Sequence, residues 1–328
     1  MGAVELRAVE AGPACELRRR RGAAGARSAA ARPGRRLILL AALGAGLVLT
    51  PAKDASAQAA GYAGALSDAH AHVVDRTAPG YFVAAMDRAK VDKIIIMRKE
   101  DGVSDEDILA FHESHPDRIL PVIGLQTLGW REHRPVFMRK LREKVESGRY
   151  RWMGEATLRG QVNGRLVAPP DSPMLHELLE ISARYRIPVT IHHNAFDAAE
   201  IQSFVDTLAR HPEATVVWAH WCGLGDPEKI RSWLAQLPKL HCDLGWMHQD
   251  QSEFPNRIVD DQGWFLPAWK ALIEAYPDRF LAAINASDAE DFTKFYSARA
   301  EKIRQALGGL EPAVARKVAT ENLHRLLR

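Results

Sequence analysis

The stretch Asp68-Ala-His70-Ala-His72 decides which fold this chain is expected to adopt. In an extended strand, alternate side chains point to the same side, so Asp68, His70 and His72 are expected to share one face. The Cα atoms of the two histidines would lie about 7 Å apart, which is twice the strand rise per residue. Two imidazoles placed in this way can hold one metal ion, and on the first strand of an α/β barrel they would lie at the barrel mouth. His-x-His is common by chance, so the interpretation depends on the rest of the chain.

Short β-rich runs alternate with amphipathic segments from residue 64 onward. The predicted strands are Leu66–His72, Lys93–Met97, Ile119–Leu125, Trp152–Thr157, Pro188–His192, Thr215–His220, Leu240–Leu244 and Phe280–Asn285. The predicted helices are Tyr81–Lys90, Ser104–His115, Arg134–Ser147, Met174–Tyr185, Ala198–His211, Pro227–Gln236, Trp264–Ala275, Phe292–Ala306 and Pro312–Leu327. Eight such units in about 260 residues predict an α/β protein of the (β/α)8 type, a TIM barrel, which forms a single domain over residues 64–328. A doubly wound open sheet is the alternative, although no Gly-x-Gly-x-x-Gly motif follows the first predicted strand.

The first 57 residues are predicted to be an export signal and leader. Arg35-Arg36 precede an apolar run of 13 residues, Leu37–Leu49. This run is shorter than the about 20 residues that a transmembrane helix needs. Ala55-Ser56-Ala57 then offers small residues for a signal peptidase, and the arginine pair resembles a twin-arginine signal. We therefore expect an exported protein, periplasmic or secreted, without a stable membrane anchor.

The net charge of +3 belongs to the leader. Residues 1–57 hold 10 of the 44 basic and 4 of the 41 acidic residues, which leaves 34 basic and 37 acidic residues in the remainder. The basic run Arg18–Arg21 is therefore not read as a nucleic-acid surface. We expect a small-molecule substrate and no nucleic-acid partner, and no pattern predicts an oligomeric state. Cys222 and Cys242 lie near consecutive predicted strands, but two cysteines make no disulfide framework, and a bridge between them is left open.

Polar side chains recur at the carboxyl ends of the predicted strands, where barrel enzymes gather their catalytic residues. In chain order they are His70, His72, Glu155, His192, His220 and Asp288. Each has an ordinary structural interpretation, and Asp288 could simply cap the following helix. His193, on the opposite face of its strand from His192, is expected to pack against helices. The joint occurrence of the four histidines and Asp288, in this strand order, argues against those ordinary interpretations.

The motifs resemble the amidohydrolase superfamily of metal-dependent (β/α)8 enzymes, and most closely its amidohydrolase-related branch. The resemblance covers residues 64–328 and rests on Asp68-Ala-His70-Ala-His72, Gly154-Glu155, Thr190-Ile-His192, Ala219-His220, Ser287-Asp288 and the ending Glu321-Asn322-Leu-His-Arg-Leu326. It implies that a divalent metal ion is bound by His70, His72, His192 and Asp288. It also implies that His220 binds a second ion or polarises the substrate, and that Glu155 could bridge two ions.

The same resemblance implies a hydrolase that uses a metal-activated water on an ester, lactone or amide bond. Asp288 would be the general base and a ligand, and His220 would stabilise the developing oxyanion. A nitrogen and oxygen donor set without thiolate suits zinc, with manganese, iron or nickel as alternatives. The branch also contains metal-dependent decarboxylases of aromatic acids, in which Arg98 or Arg159 could hold the carboxylate. A non-catalytic metal-binding protein is a third interpretation.

Two expectations concern residues around the ligands. Asp288 stands a few residues further from Arg279-Phe-Leu281 than is common in the family. Without an insertion, Asn285 would take its position, and an amide is no general base. Asp68 is expected to orient a ligand histidine. Three tryptophans could line an aromatic pocket or pack the barrel rim, namely Trp221, Trp246 and Trp264.

Overall fold

The computed structural model of the protein describes residues 60–75, 78–99, 102–126, 130, 135–159, 166–194, 197–247 and 256–328. All of them fall within the unit Ser56–Arg328. The predicted export signal over residues 1–57 lies outside the described residues, as do residues 160–165 and 248–255. Within the described ranges, no helix combines the length and the apolar character needed to cross a bilayer.

The described residues contain nine short strands, paired in parallel within two sheets. The first sheet has the order β1 (Leu66–Val73), β2 (Val91–Arg98), β3 (Ile119–Leu120). The second sheet follows chain order and contains β4 (Val122–Gly124), β5 (Trp152–Arg159), β6 (Val189–His193), β7 (Val216–Trp218), β8 (Leu240–Asp243) and β9 (Phe280–Leu281). Every neighbouring pair is parallel. The α/β class predicted from the sequence is confirmed.

Pro121 divides the strand that was predicted over Ile119–Leu125 into β3 and β4. Proline has no N–H to donate to a ladder, so regular pairing stops at this residue. The carbonyl of Pro121 still accepts a hydrogen bond of 2.9 Å from the N–H of Arg151. The two sheets are therefore separated by a single residue of the chain.

The last predicted strand, Phe280–Asn285, is regular only over Phe280–Leu281. The chain beyond β9 nevertheless stays hydrogen-bonded to β1. Ala69 N–H donates to the Ala282 carbonyl at 2.9 Å, and Asn285 N–H donates to the His70 carbonyl at 2.8 Å. These bonds place the segment after β9 beside the strand that carries the two paired histidines.

Amphipathic helices follow most of the strands. They are α1 (Ala78–Arg88), α2 (Asp105–Ser114), α3 (Pro135–Glu146), α4 (Pro173–Tyr185), α5 (Ala198–Arg210), α6 (Pro227–Gln236), α7 (Pro267–Ala275), α8 (Tyr296–Leu307), α9 (Pro312–Arg316) and α10 (Asn322–Leu326). A π-helical turn, Asp291–Phe295, leads into α8, and a second, Lys317–Glu321, joins α9 to α10. Ser104 precedes α2 and forms a capping box with Asp107.

Burial of the strands explains their apolar composition. All eight residues of β1 are buried, as are all five of β6. Parallel strands covered on both faces read as nearly continuous apolar runs. Polar side chains in such strands leave water at a cost unless they find partners, so the buried histidines and acids of β1, β5, β6 and β8 need an explanation.

Candidate metal centre

An irregularity in β1 separates Asp68 from the two histidines. Asp68 pairs with Ile94 and Ala71 pairs with Ile96, so β1 contains one more residue than β2 over this stretch. An extra residue reverses the alternation of side chains that follow it. Asp68 accepts hydrogen bonds from the N–H groups of His70 and Ile284 and from the Tyr296 hydroxyl at 2.9 Å. The expectation that Asp68 orients a ligand imidazole is therefore wrong, because its carboxylate ties β1 to the segment after β9 and to α8.

His70 is oriented instead by Asp243, at the end of β8. His70 Nδ1 lies 2.9 Å from Asp243 Oδ2, and both side chains are fully buried. A hydrogen bond from Nδ1–H leaves the lone pair of Nε2 free for a metal ion. Without an ion, burial would lower the pKa of His70, but the carboxylates of Asp243 and Glu155 outweigh burial and raise the pKa to about 9, so an ion that binds at Nε2 would displace a proton. His70 Nε2 faces His72 Nε2 at 3.1 Å.

Glu155, near the middle of β5, lies between two pairs of histidines. Its Oε1 is 2.8 Å from His192 Nδ1, and its Oε2 is 3.6 Å from His72 Nε2 and 3.8 Å from His70 Nε2. Oε2 also accepts a hydrogen bond from the Gln126 amide. Burial would raise the pKa of Glu155, but His192 and His70 hold it well below its usual range. The carboxylate is therefore ionised in the interior of the fold.

His220 enters the cluster from an unusual turn after β7. The residues His220, Trp221, Cys222, Gly223 and Leu224 all have φ between 39° and 70°. This left-handed conformation costs a non-glycine residue about 1–2 kcal/mol. Asp243 Oδ1 accepts the N–H of His220 at 3.0 Å, and a disulfide joins Cys222 to Cys242. The bridge that was left open between the two cysteines is present.

Trp246 and Asn285 complete the surroundings of His220. The ring of Trp246 stacks on that of His220, with centroids 3.6 Å apart and planes 3° apart, and meets the ring of His192 edge-on. Asn285 Nδ2 lies 3.3 Å from His220 Nε2. Of the three candidate pocket tryptophans, Trp246 therefore lies at the cluster, whereas Trp221 is fully buried in the core.

The donor atoms fit a divalent cation. Two groups have ligand atoms within 4.8 Å of one another, and Glu155 belongs to both. They consist of His70, His72 and Glu155, and of Glu155, His192 and His220. Among the described residues, His72 Nδ1, His192 Nε2 and His220 Nδ1 are buried without a hydrogen-bond partner. Burial lowers the pKa of His72 to about 3 and that of His220 well below its usual value, so both imidazoles are neutral, as ligands must be.

Asp288, predicted to be both ligand and general base, is not brought to this cluster. Its side chain is exposed, and Oδ1 accepts the N–H of Asp291 at 2.9 Å, in the manner of a helix cap. The physical reason lies in the chain after β9, where Asn285 has a φ of 55° and the regular alternation has ended. Asn285 reaches His220, and Asp288 follows three residues later at the surface.

Arg98 and Arg159, considered as holders of a substrate carboxylate, are engaged in ion pairs. Arg98 Nε lies 3.0 Å from Asp105 Oδ1, and Arg159 Nε donates to Glu200 Oε2 at 2.7 Å. His193 behaves as its position on the strand predicts. It is fully buried and packs against Phe204, with ring centroids 5.3 Å apart.

A fold of parallel strands that gathers buried histidines and a carboxylate at one cluster is typical of metal-dependent enzymes of the α/β class. The chain belongs to the amidohydrolase family, because the family model Amidohydro_2, described as Amidohydrolase, matches residues 54–328. The family resemblance predicted from the sequence is thus confirmed. Membership supports an enzyme, and together with the His/Glu cluster it supports a divalent metal ion. A search of curated proteins found no match.

Solved structures show the same fold at low sequence identity. A dihydroxybenzoic acid decarboxylase from Polaromonas with bound manganese has a TM-score of 0.51 and 12% identity, covering 80% of this chain and 97% of that one. An amidohydrolase from Burkholderia multivorans with bound zinc has a TM-score of 0.51 and 15% identity, covering 80% and 99%. A TatD homologue from Escherichia coli K12 has a TM-score of 0.54 and 18% identity, covering 79% and 97%.

Proposed function

We propose that this protein is a metal-dependent hydrolase that cleaves an ester, lactone or amide bond in a small molecule. The observation that carries the proposal is the pair of buried ligand groups that share Glu155. We further propose that the strands close into a (β/α)8 barrel. The hydrogen bonds around Pro121, and those between β1 and the segment after β9, support this closure.

Zinc is the proposed metal. Neutral imidazoles with one carboxylate and no thiolate suit zinc, and manganese is the alternative within the same donor chemistry. The related amidohydrolase from Burkholderia multivorans holds zinc, and the decarboxylase from Polaromonas holds manganese. When bound, such an ion polarises a carbonyl group and lowers the pKa of a water molecule.

Two further roles, a proton acceptor and a hydrogen-bond donor to the substrate oxygen, are assigned to side chains of the cluster. Hydrolysis needs a proton acceptor for the attacking water. Asp243 already accepts from His70 and from the backbone N–H groups of His220 and Gly245. Glu155 lies closest to the facing nitrogens of His70 and His72, so we assign the acceptor role to Glu155 in place of the exposed Asp288. The amide of Asn285, beside His220, can donate to an oxygen that gains negative charge.

Decarboxylation of an aromatic acid is the second candidate, and a specific observation favours it. Asp288 is exposed, both oxygens of Asp243 already accept hydrogen bonds, and Asn285 rather than an acid lies beside His220. Loss of carbon dioxide needs no base to activate water. The exposed part of Trp246 offers an aromatic surface at the cluster, and the Polaromonas relative is named a dihydroxybenzoic acid decarboxylase.

Export is proposed as the cellular context. The leader pattern over residues 1–57 supports it, and so does the Cys222–Cys242 disulfide, since disulfides persist mainly in oxidising compartments.

Metal quantification joined to a substrate screen in ¹⁸O-labelled water tests the proposal. The expected result is stoichiometric divalent metal and one ¹⁸O atom in the product of an ester, lactone or amide. Release of carbon dioxide from an aromatic acid without ¹⁸O uptake would establish the second candidate instead. A purified protein without stoichiometric transition metal would contradict both, and bound metal without turnover of either substrate class would favour a non-catalytic metal-binding protein.

A further inference from the structure

The turn that carries His220 needs restraints beyond its own backbone. Five consecutive residues from His220 to Leu224 have positive φ, and four of them are not glycine. L-amino acids adopt this conformation as single residues and rarely in runs. Such runs persist only where the surrounding structure imposes them, and they concentrate at functional sites. The position of His220 in the cluster therefore depends on what holds the turn.

Two restraints attach this turn to β8. Asp243 Oδ1 accepts the N–H of His220 at 3.0 Å, at the first residue of the run. Two residues later, Cys222 is covalently bonded to Cys242, and their Cα atoms lie 4.9 Å apart. Cys242 is itself paired with Trp218 of β7 and with Phe280 of β9. The covalent link therefore ends in the interior of the sheet, where the backbone has little freedom.

Close packing at Gly223 adds a third contact but acts at a different place. A Cβ atom at Gly223 would lie 2.2 Å from the His193 carbonyl oxygen and 2.6 Å from the indole nitrogen of Trp218. This contact seats the far side of the turn against β6 and β7. The disulfide and Asp243 act on the side of the turn that carries His220.

We infer that the Cys222–Cys242 disulfide is a positioning element for the ligand group of Glu155, His192 and His220. This inference rests on the proposed metal centre. The disulfide holds the left-handed turn against β8, so that the His220 imidazole reaches the other two donors. The group of His70, His72 and Glu155 does not depend on it, because His70 and His72 lie on β1.

The test compares the full chain with the variant Cys222→Ala/Cys242→Ala, using zinc and manganese as probes. Chelator competition measures the dissociation constants of the ions, and thiol alkylation with mass spectrometry measures the state of the bond. Removal of an outer support of a ligand typically weakens metal affinity 10–100-fold. We expect the affinity for the second ion, at Glu155, His192 and His220, to fall about 10–100-fold in the variant. The affinity for the first ion, at His70, His72 and Glu155, should stay within about threefold of wild type, which is well below that range.

Leu224→Ala is the matched control, because it removes a fully buried side chain from the same turn and leaves both restraints in place. Leu224→Ala should lower the free energy of unfolding but leave the affinity for the second ion unchanged. If the double variant does not fold, wild-type protein reduced under native conditions takes its place, and reoxidation of the same sample, which should restore the affinity for the second ion, controls for the reductant. Equal affinities in oxidised and bond-free protein, or free thiols at Cys222 and Cys242 in native protein, would overturn the inference alone. A wild-type protein that binds no metal would overturn the proposed function as well.

Discussion

The end of β1 and the end of β9 lie side by side, and both were expected to supply metal ligands. β1 is paired regularly with β2 from Ala71 to Val73, with His72 opposite Met97, and both of its histidines reach the cluster. β9 stops at Leu281, and four residues later Asn285 has a positive φ. Alternation along a strand predicts which side chain enters a site only as far as regular pairing continues. Beyond that point, counting along the sequence no longer identifies the residue.

His70→Ala and Asp288→Ala compare the two ends directly, and the largest effect is expected here. Loss of His70 removes a donor from the centre of the cluster, so its variant should lose stoichiometric metal and activity. Asp288→Ala should bind metal within about threefold of wild type, which is less than the change expected for even an outer support. Elemental analysis after dialysis measures both variants. Loss of metal in Asp288→Ala to the same degree as in His70→Ala would show that the two ends do not differ.

The variant Asp243→Asn tests how strongly metal binding by His70, on β1, depends on its partner from β8. The amide preserves the size of the side chain but supplies one acceptor oxygen, whereas the carboxylate uses both, one for His70 Nδ1 and one for the N–H groups of His220 and Gly245. Metal affinity should fall about 10–100-fold, as for other partners of ligand histidines. Chelator competition measures it, and circular dichroism checks that the fold is retained. An unchanged affinity would mean that His70 needs no orienting acid.

The sequence predicted five of the residues that the structure gathers, namely His70, His72, Glu155, His192 and His220. They were identifiable because each lies in or just after a short buried strand, and parallel strands bring such residues together. Asp68 was assigned to the wrong face because an extra residue in β1 is invisible to a period of two. The sequence assigned no role to Asp243 or Gln126, since side-chain pairing between distant strands leaves no local signal. Asn285 was recognised only as the residue that would replace Asp288.

His241 is a buried strand histidine outside the cluster, so it can be compared with the buried histidines that belong to the cluster. Burial, with Arg279 and Arg325, lowers its pKa to about 3. Below its ordinary pKa of 6.5, the unfolded chain takes up a proton that the fold excludes, so stability should fall as the pH drops from about 6.5 towards 3. One such group contributes a slope of about 1.4 kcal/mol per pH unit.

This slope is measured as the free energy of unfolding of metal-free protein in urea at several pH values between about pH 6 and pH 4.5. One group contributes about 1.4 kcal/mol per pH unit. His241→Gln should remove that share of the slope and leave metal binding at neutral pH unchanged. The other buried histidines titrate equally in both proteins, so the difference isolates His241. Identical slopes would show that His241 carries no proton-linked stability, and loss of metal would place it in the cluster.

Glu155 serves both ligand groups, and this sharing has a thermodynamic consequence. Its Oε1 faces His192 at 2.8 Å, while its Oε2 lies 3.6 Å from His72 Nε2. An ion that draws the carboxylate towards one group alters the donor presented to the other, so the two occupancies are linked by one coupling free energy. Linkage is reciprocal, so each ion changes the affinity for the other by the same factor. Were both groups occupied, filling one would change the affinity of the other, and the order of arrival would change the route but not the fully loaded state.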